Sequence, residues 1–144
     1  MILVDTSIWS LALRRRPAAL STEEQRLVEE WARLVTDGLA TLIGPIRQEI
    51  LSGVRRPEMF QALQRALSDF PYLGIDAADY DRAAEFFNLC RANGITGGPI
   101  DMLISAVAHR HETPVFAADT DYALYARYLP LQLHAPGRAT GRSR

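Results

Sequence analysis

Residues 1–9 read MILVDTSIW, an apolar run that stops on an acid followed by two hydroxyls. Met1 to Val4 is short, continuous and rich in branched side chains, the composition of a strand buried on both faces. Asp5 then falls just past the carboxyl end of that strand, where open α/β sheets bind their ligands. A second reading of Asp5 is a helix N-cap, since Thr6 and Ser7 suit a helix start and Ile8, Trp9 and Leu13 follow at helical spacing. Asp5 alone leaves both readings open.

The pattern returns near the other end of the chain, where PVFAAD (114–119) is another buried run ending on an acid. Between the two, helical and strand signals alternate. STEEQRLVEEWARLVTDG (21–38) opens on the capping box Ser21/Glu24, carries the stripe Leu27, Val28, Trp31, Leu34 and Val35, and closes on Gly38. LATLI (39–43) reads as a strand, and GPIRQEILSGV (44–54) as a helix with Pro45 in its first turn. RPEMFQALQRALSDF (56–70) and DAADYDRAAEFFNLCRANG (76–94) read as helices flanking the short strand candidate YLGI (72–75). TGGPIDMLISAVAHRH (96–111) reads as a largely apolar, central helix. TDYALYARY (120–128) is a short helix and LQLH (131–134) a last strand. This alternation predicts an α/β fold in three layers, a mostly parallel central sheet of about four to five strands with helices on both faces.

The chain has 144 residues, the size of one domain, and 48% of them are hydrophobic. The expected division is a folded domain over 1–135 and a disordered, arginine-containing tail, PGRATGRSR, over 136–144. All 16 basic residues are arginine, against 17 acids; without the three tail arginines the domain carries −4. No apolar run approaches the roughly 18 residues of a membrane span, and the expected location is the cytoplasm. The single cysteine, Cys90, excludes an internal disulfide and a cysteine-based zinc site. The absence of lysine removes P-loop phosphate binding, Schiff-base chemistry and Ser-Lys hydrolysis together.

Four acids share a setting. Asp5, Glu49, Asp101 and Asp119 each lie in the amino-terminal part of a helix that follows a strand or buried run, so they can converge on one side of the sheet. Each has a plainer reading. Asp119 suits the cap of the helix beginning at Thr120, Asp101 complements a helix dipole, and Glu49 is acceptable as a solvated helical residue, although its place beside Ile46 and Ile50 sets it near the apolar side. Gathered together, four carboxylates repel unless a cation is present. Hard divalent ions with oxygen ligands, Mg²⁺ or Mn²⁺, match such a set, and phosphodiester hydrolysis is the chemistry they support.

ILVDTSIW, Glu49 in GPIRQEILSG, Asp101 in GGPIDMLISAVA and VFAADTDYALYA resemble, in that order and over roughly residues 1 to 135, the PIN-domain ribonucleases, in particular the VapC-type toxins of bacterial toxin–antitoxin pairs. The resemblance implies a PIN-like fold and an acidic quartet of Asp5, Glu49, Asp101 and Asp119, with Asp5 and Asp101 the surest metal ligands and Thr6 and Ser7 as auxiliary groups. It implies one or two Mg²⁺ (or Mn²⁺) ions activating a water for attack on an RNA phosphate, leaving 5′-phosphate and 3′-hydroxyl ends. It also implies a VapB-like antitoxin and a homodimer. Asp121 would be a further auxiliary acid at the family's Asp-Phe position, where this chain has Asp121-Tyr122. Many relatives have Thr or Ser where this chain has Ala117, and the Asp-x-Asp pair leaves open which of Asp119 and Asp121 is the fourth acid.

Arg14, Arg15, Arg16 and Arg47, with Arg55 and Arg56, flank the proposed site in sequence and are candidate contacts to an RNA backbone. A haloacid-dehalogenase-like phosphatase or a response-regulator receiver would require a lysine. A serine hydrolase would require a G-x-S-x-G elbow, and His109, His111 and His134 read as structural or surface residues. The remaining alternatives are an inactive PIN-like module that binds RNA or protein, and a DNA-directed nuclease of the same fold.

Overall fold

The computed structural model describes residues 1–137; the tail expected at 136–144 lies, from Arg138 onward, outside the described residues. Three parallel strands form the sheet: β1 (Ile2–Val4), β2 (Ala40–Thr41) and β3 (Val115–Phe116), in the order β2-β1-β3. Leu3 pairs with Thr41 on one side and Val115 on the other, and both are fully buried with Leu3 itself. The continuous apolar pattern of β1 thus reflects a central strand covered on both faces.

The other two strand candidates contribute single parallel bridges, Tyr72 to Leu42 and Leu133 to Val115. They extend the sheet by one residue at each edge. Gly74 interrupts the first segment, and exposure of Tyr72 and Leu133 gives neither edge an apolar face to bury.

Helices occupy the connections: α1 (Thr6–Leu13), α2 (Thr22–Thr36), α3 (Gly44–Leu51), α4 (Pro57–Ser68), α5 (Ala77–Ala92), α6 (Pro99–Arg110) and α7 (Asp121–Tyr125). The Ser21/Glu24 capping box forms in both directions and starts α2, and Asp76/Asp79 form a second box at α5. Gly38 and Gly94, at φ +71° and +80°, carry the left-handed turns just past the ends of α2 and α5. Seven consecutive residues of α6, Met102 to Ala108, are buried, as a central helix demands. Trp9 fixes α1 against the sheet by donating its indole N–H to the Val4 carbonyl across 2.9 Å, and it packs edge-on against Trp31 and Phe70.

Because all the strands run the same way, their carboxyl ends share one edge. Asp5 follows β1 and donates its backbone N–H to the Phe116 carbonyl of β3 at 2.8 Å, so the chain beyond each strand begins at the same level. That edge carries the acids.

Candidate active site

Asp5 is both things its sequence context allows. Its carboxylate caps α1, with Oδ2 accepting from the Ser7 backbone N–H at 3.0 Å and from the Ser7 hydroxyl at 2.5 Å. Its other oxygen, Oδ1, accepts from the Tyr122 hydroxyl at 3.0 Å. The residue is only 5% exposed, yet among the described residues it has no cationic partner.

Asp101 sits in the first turn of α6, which opens on Pro99 behind the N-cap Gly98. Its Oδ1 lies 3.3 Å from the same Tyr122 hydroxyl, and its Oδ2 accepts from Tyr125 at 2.9 Å. Burial pushes its pKa up to about 6, the charges of Asp5 and Asp119 push in the same direction, and the Tyr125 and Tyr122 hydroxyls oppose them. Burial and the neighbouring carboxylates of Asp5 and Asp101 in turn raise the Tyr122 phenol far above its ordinary value, which keeps it a neutral donor.

Asp119 follows β3 and is exposed; its Oδ1 accepts from the Asp121 backbone N–H at 2.9 Å. The charge of Asp119 acts on Asp101, whereas Asp121 opens α7 and is exposed. Asp119 and Asp121 are both exposed and the charges of both raise the Tyr125 phenol, so the two remain alternatives for the fourth acid. Glu49 corrects the expectation that it lies near the apolar side: Ile46 and Ile50 are fully buried, but Glu49 itself is exposed on the outer side of α3. It reaches the site through Thr6, whose hydroxyl donates to Glu49 Oε1 at 2.6 Å.

The expected gathering of four carboxylates within a few ångströms is therefore realised as a close pair, Asp5 and Asp101, with Asp119 and Glu49 flanking it. Among the described residues, no group of three His, Cys, Asp or Glu side chains is drawn together closely enough to hold a metal ion as it stands. The ion pairs of the described residues involve none of the four. The donor set is hard oxygen, uncompensated by arginine, and in this respect fits a divalent cation.

Ser7 Oγ, besides donating to Asp5, accepts the Ala118 backbone N–H at 3.0 Å and so joins the ends of β1 and β3. Sequence reasoning missed the role of Tyr122 and Tyr125. The signal was present: two tyrosines three apart in TDYALYARY lie on one helical face, and a buried tyrosine requires a partner for its hydroxyl.

The candidate RNA-contact arginines divide. Arg14, Arg15 and Arg16 are exposed just past α1. Arg47 is engaged within the protein, donating to the Tyr72 hydroxyl at 2.9 Å, to the Gln64 carbonyl at 3.3 Å and to the Ser68 hydroxyl. It ties α3 to α4. The three histidines behave as read from sequence: His134 contacts Glu30, His111 reaches the Gly74 carbonyl, and His109 packs beside Phe86.

The sheet order and the acids at its carboxyl edge define an α/β protein of PIN type. The sequence pattern of the PIN domain family matches residues 2–128, and the chain belongs to that family. Within it the chain is similar to ribonuclease VapC11 of Mycobacterium tuberculosis, with 34% identity over 134 residues, covering 92% of this chain and 96% of that protein. Among solved structures it resembles VapBC2 from Rickettsia felis bound to a promoter DNA fragment, with a TM-score of 0.71 at 17% identity, covering 93% of this chain and 98% of the other. It also resembles FitAcB from Neisseria gonorrhoeae, with a TM-score of 0.69 at 20% identity, covering 94% and 98%. These two structures bear on the fold alone. Among the described residues, no helix is long and apolar enough to cross a membrane.

Proposed function

We propose that the chain is a metal-dependent endoribonuclease acting as the toxin of a toxin–antitoxin pair. The observation that carries the reading is the pair of buried Asp5 and half-buried Asp101, joined through one neutral hydroxyl and, among the described residues, left without a cationic partner. The 34% identity to a protein named as ribonuclease VapC11 supports the activity and, with the resemblance to the VapC-type toxins, the setting. A VapB-like antitoxin, a homodimer, a cytoplasmic location and a single catalytic domain over residues 1–135 belong to the same proposal.

Asp5 and Asp101 would hold Mg²⁺ or Mn²⁺, with Glu49 and Asp119 completing the set. Bound there, a divalent ion supplies charge for a phosphoryl oxygen and lowers the pKa of a water towards neutrality. The chain's own groups do the rest. Ser7 and Tyr125 fix the outer carboxylate oxygens, Thr6 holds Glu49 at the rim, and Arg14 to Arg16 contact the backbone of a single-stranded RNA segment. The half-buried position of Asp101 leaves the substrate side open while limiting water.

The deciding experiment is end-mapping of cellular RNA after brief expression of wild type and Asp5→Asn, with the purified proteins assayed in Mn²⁺, Mg²⁺ and EDTA. Cuts with 5′-phosphate ends that require both metal and Asp5 are expected. The same metal-dependent cuts from both chains would remove Asp5 from the ligand set, and no cuts from either would sink the nuclease reading and leave a binding module.

A further inference from the structure

Tyr122 holds a position that the nuclease reading leaves unexplained. Its side chain is 2% exposed, and its hydroxyl lies 3.0 Å from Asp5 Oδ1 and 3.3 Å from Asp101 Oδ1. Among the described residues it is the one donor facing both of these oxygens. The outer oxygens have their own: the Ser7 N–H and hydroxyl serve Asp5 Oδ2, and Tyr125 serves Asp101 Oδ2. A phenol carries a single proton, so Tyr122 satisfies the two facing carboxylates only by sharing or alternating it. Two carboxylates that share one donor repel, and a hydrogen bond from that neutral donor offsets part of the repulsion.

We propose that the Tyr122 hydroxyl is a positioning group that stands in for the cation, holding Asp5 and Asp101 face to face while no metal is bound and becoming redundant once a divalent ion is present. This rests on the reading of Asp5 and Asp101 as metal ligands. The consequence has a definite sign. A contact that stabilises the metal-free form more than the metal-bound form opposes metal binding, so its removal tightens binding. A hydroxyl that merely arranged the ligands for the metal would do the reverse, and one that only filled space would do neither.

The test uses the full chain as wild type and as Tyr122→Phe, with Mn²⁺ as the probe. Thermal unfolding is followed in EDTA and in saturating Mn²⁺, and Mn²⁺ is titrated calorimetrically well below the melting temperature. In EDTA the variant is expected to melt roughly 3–6 °C below wild type, the loss of one charge-assisted hydrogen bond in a chain of this size. In Mn²⁺ the two should melt together, and the Mn²⁺ dissociation constant of the variant should fall about tenfold. Equal or weaker Mn²⁺ affinity in Tyr122→Phe, beside a normal response of wild type, overturns the proposal alone. A variant that cannot fold even with Mn²⁺ also overturns it, because the hydroxyl would then be needed in the metal-bound form. If wild type gives neither a Mn²⁺-induced shift nor binding heat, the metal reading fails and the proposal fails with it.

Discussion

The hydroxyl of Thr6 donates to Glu49 Oε1 across 2.6 Å and so connects the first turn of α1 to the second turn of α3, 43 residues away in sequence. Glu49 is exposed and has no ion-pair partner among the described residues, so Thr6 is what holds it at the rim. Thr6→Val keeps the shape and removes the donor. RNA cleavage at saturating Mn²⁺ is expected to slow by about tenfold, the equivalent of one hydrogen bond to a charged group. The melting temperature should stay near that of wild type, since both side chains touch solvent. Unchanged turnover would remove Glu49 from the catalytic set.

The double duty of Asp5 can be separated by two substitutions. Asp5→Asn retains an oxygen that accepts from Ser7 and preserves the cap of α1, but it removes the charge beside Asp101. Asp5→Ala removes both. Cleavage should be lost in each variant, whereas stability in EDTA should fall by about 1 kcal/mol or more only for Asp5→Ala, the usual value of an N-cap. Urea titrations of the three chains, read against cleavage of the same RNA, check this. An active Asp5→Asn would return Asp5 to the role of a cap.

How far the sequence discloses this molecule depends on the range of the interactions involved. The capping boxes at Ser21 and Asp76 and the glycine turns at Gly38 and Gly94 are local, so their residue spacing is the structure, and they are legible. The parallel sheet is legible because a strand covered on both faces must be apolar throughout, as ILV is. The shrinkage of YLGI and LQLH to one bridge each is not, because an edge segment is decided by what fails to cover it. The acids of the site are legible as strand-end residues, but their distances are not. Tyr122 meets Asp5 across 117 residues, and nothing local to either announces the other.

Glu30 shows the same limit away from the site. It lies three residues after Leu27 and four before Leu34, beside the apolar stripe of α2, and is 5% exposed. Arg33 binds it through both oxygens at 3.0 and 2.6 Å, His134 Nε2 lies 2.5 Å from Oε2, and the Gly137 N–H reaches Oε1. The hydrogen bonds from Arg33, aided by His134 and Gly137 and opposed by burial, lower its pKa to about 2. The sign follows from linkage. The folded chain holds this proton less tightly than the unfolded chain, whose value is near 4.5. The stabilisation is therefore complete above about pH 4.5 and disappears as the pH falls through about 2. Arg33 is half exposed and solvent screens the pair, which leaves it a contribution of about 2 kcal/mol. Glu30→Gln should be less stable than wild type by that amount at pH 7, and the two denaturation curves should approach each other towards pH 2. A constant gap across that range would show that packing, not charge, sets the contribution of Glu30.

The division among the arginines makes the last prediction. Arg14, Arg15 and Arg16 form an exposed run past α1, while Arg47 has its guanidinium committed to Tyr72, Gln64 and Ser68. Contacts to an RNA backbone release counterions, so each lost contact lowers the slope of log affinity against log salt by about 0.7 for a single strand. Replacing Arg14, Arg15 and Arg16 together with Ala should weaken RNA binding, reduce that slope by about 2 and leave the melting temperature alone. Arg47→Ala should leave the slope unchanged and cost about 1–2 kcal/mol of stability, because it frees α4 from α3. Binding is best measured on the inactive Asp5→Asn background so that the RNA survives the titration. A reversed assignment, with the slope moving on Arg47→Ala and not on the triple variant, would place the RNA path over α3 and α4 instead of past the end of α1.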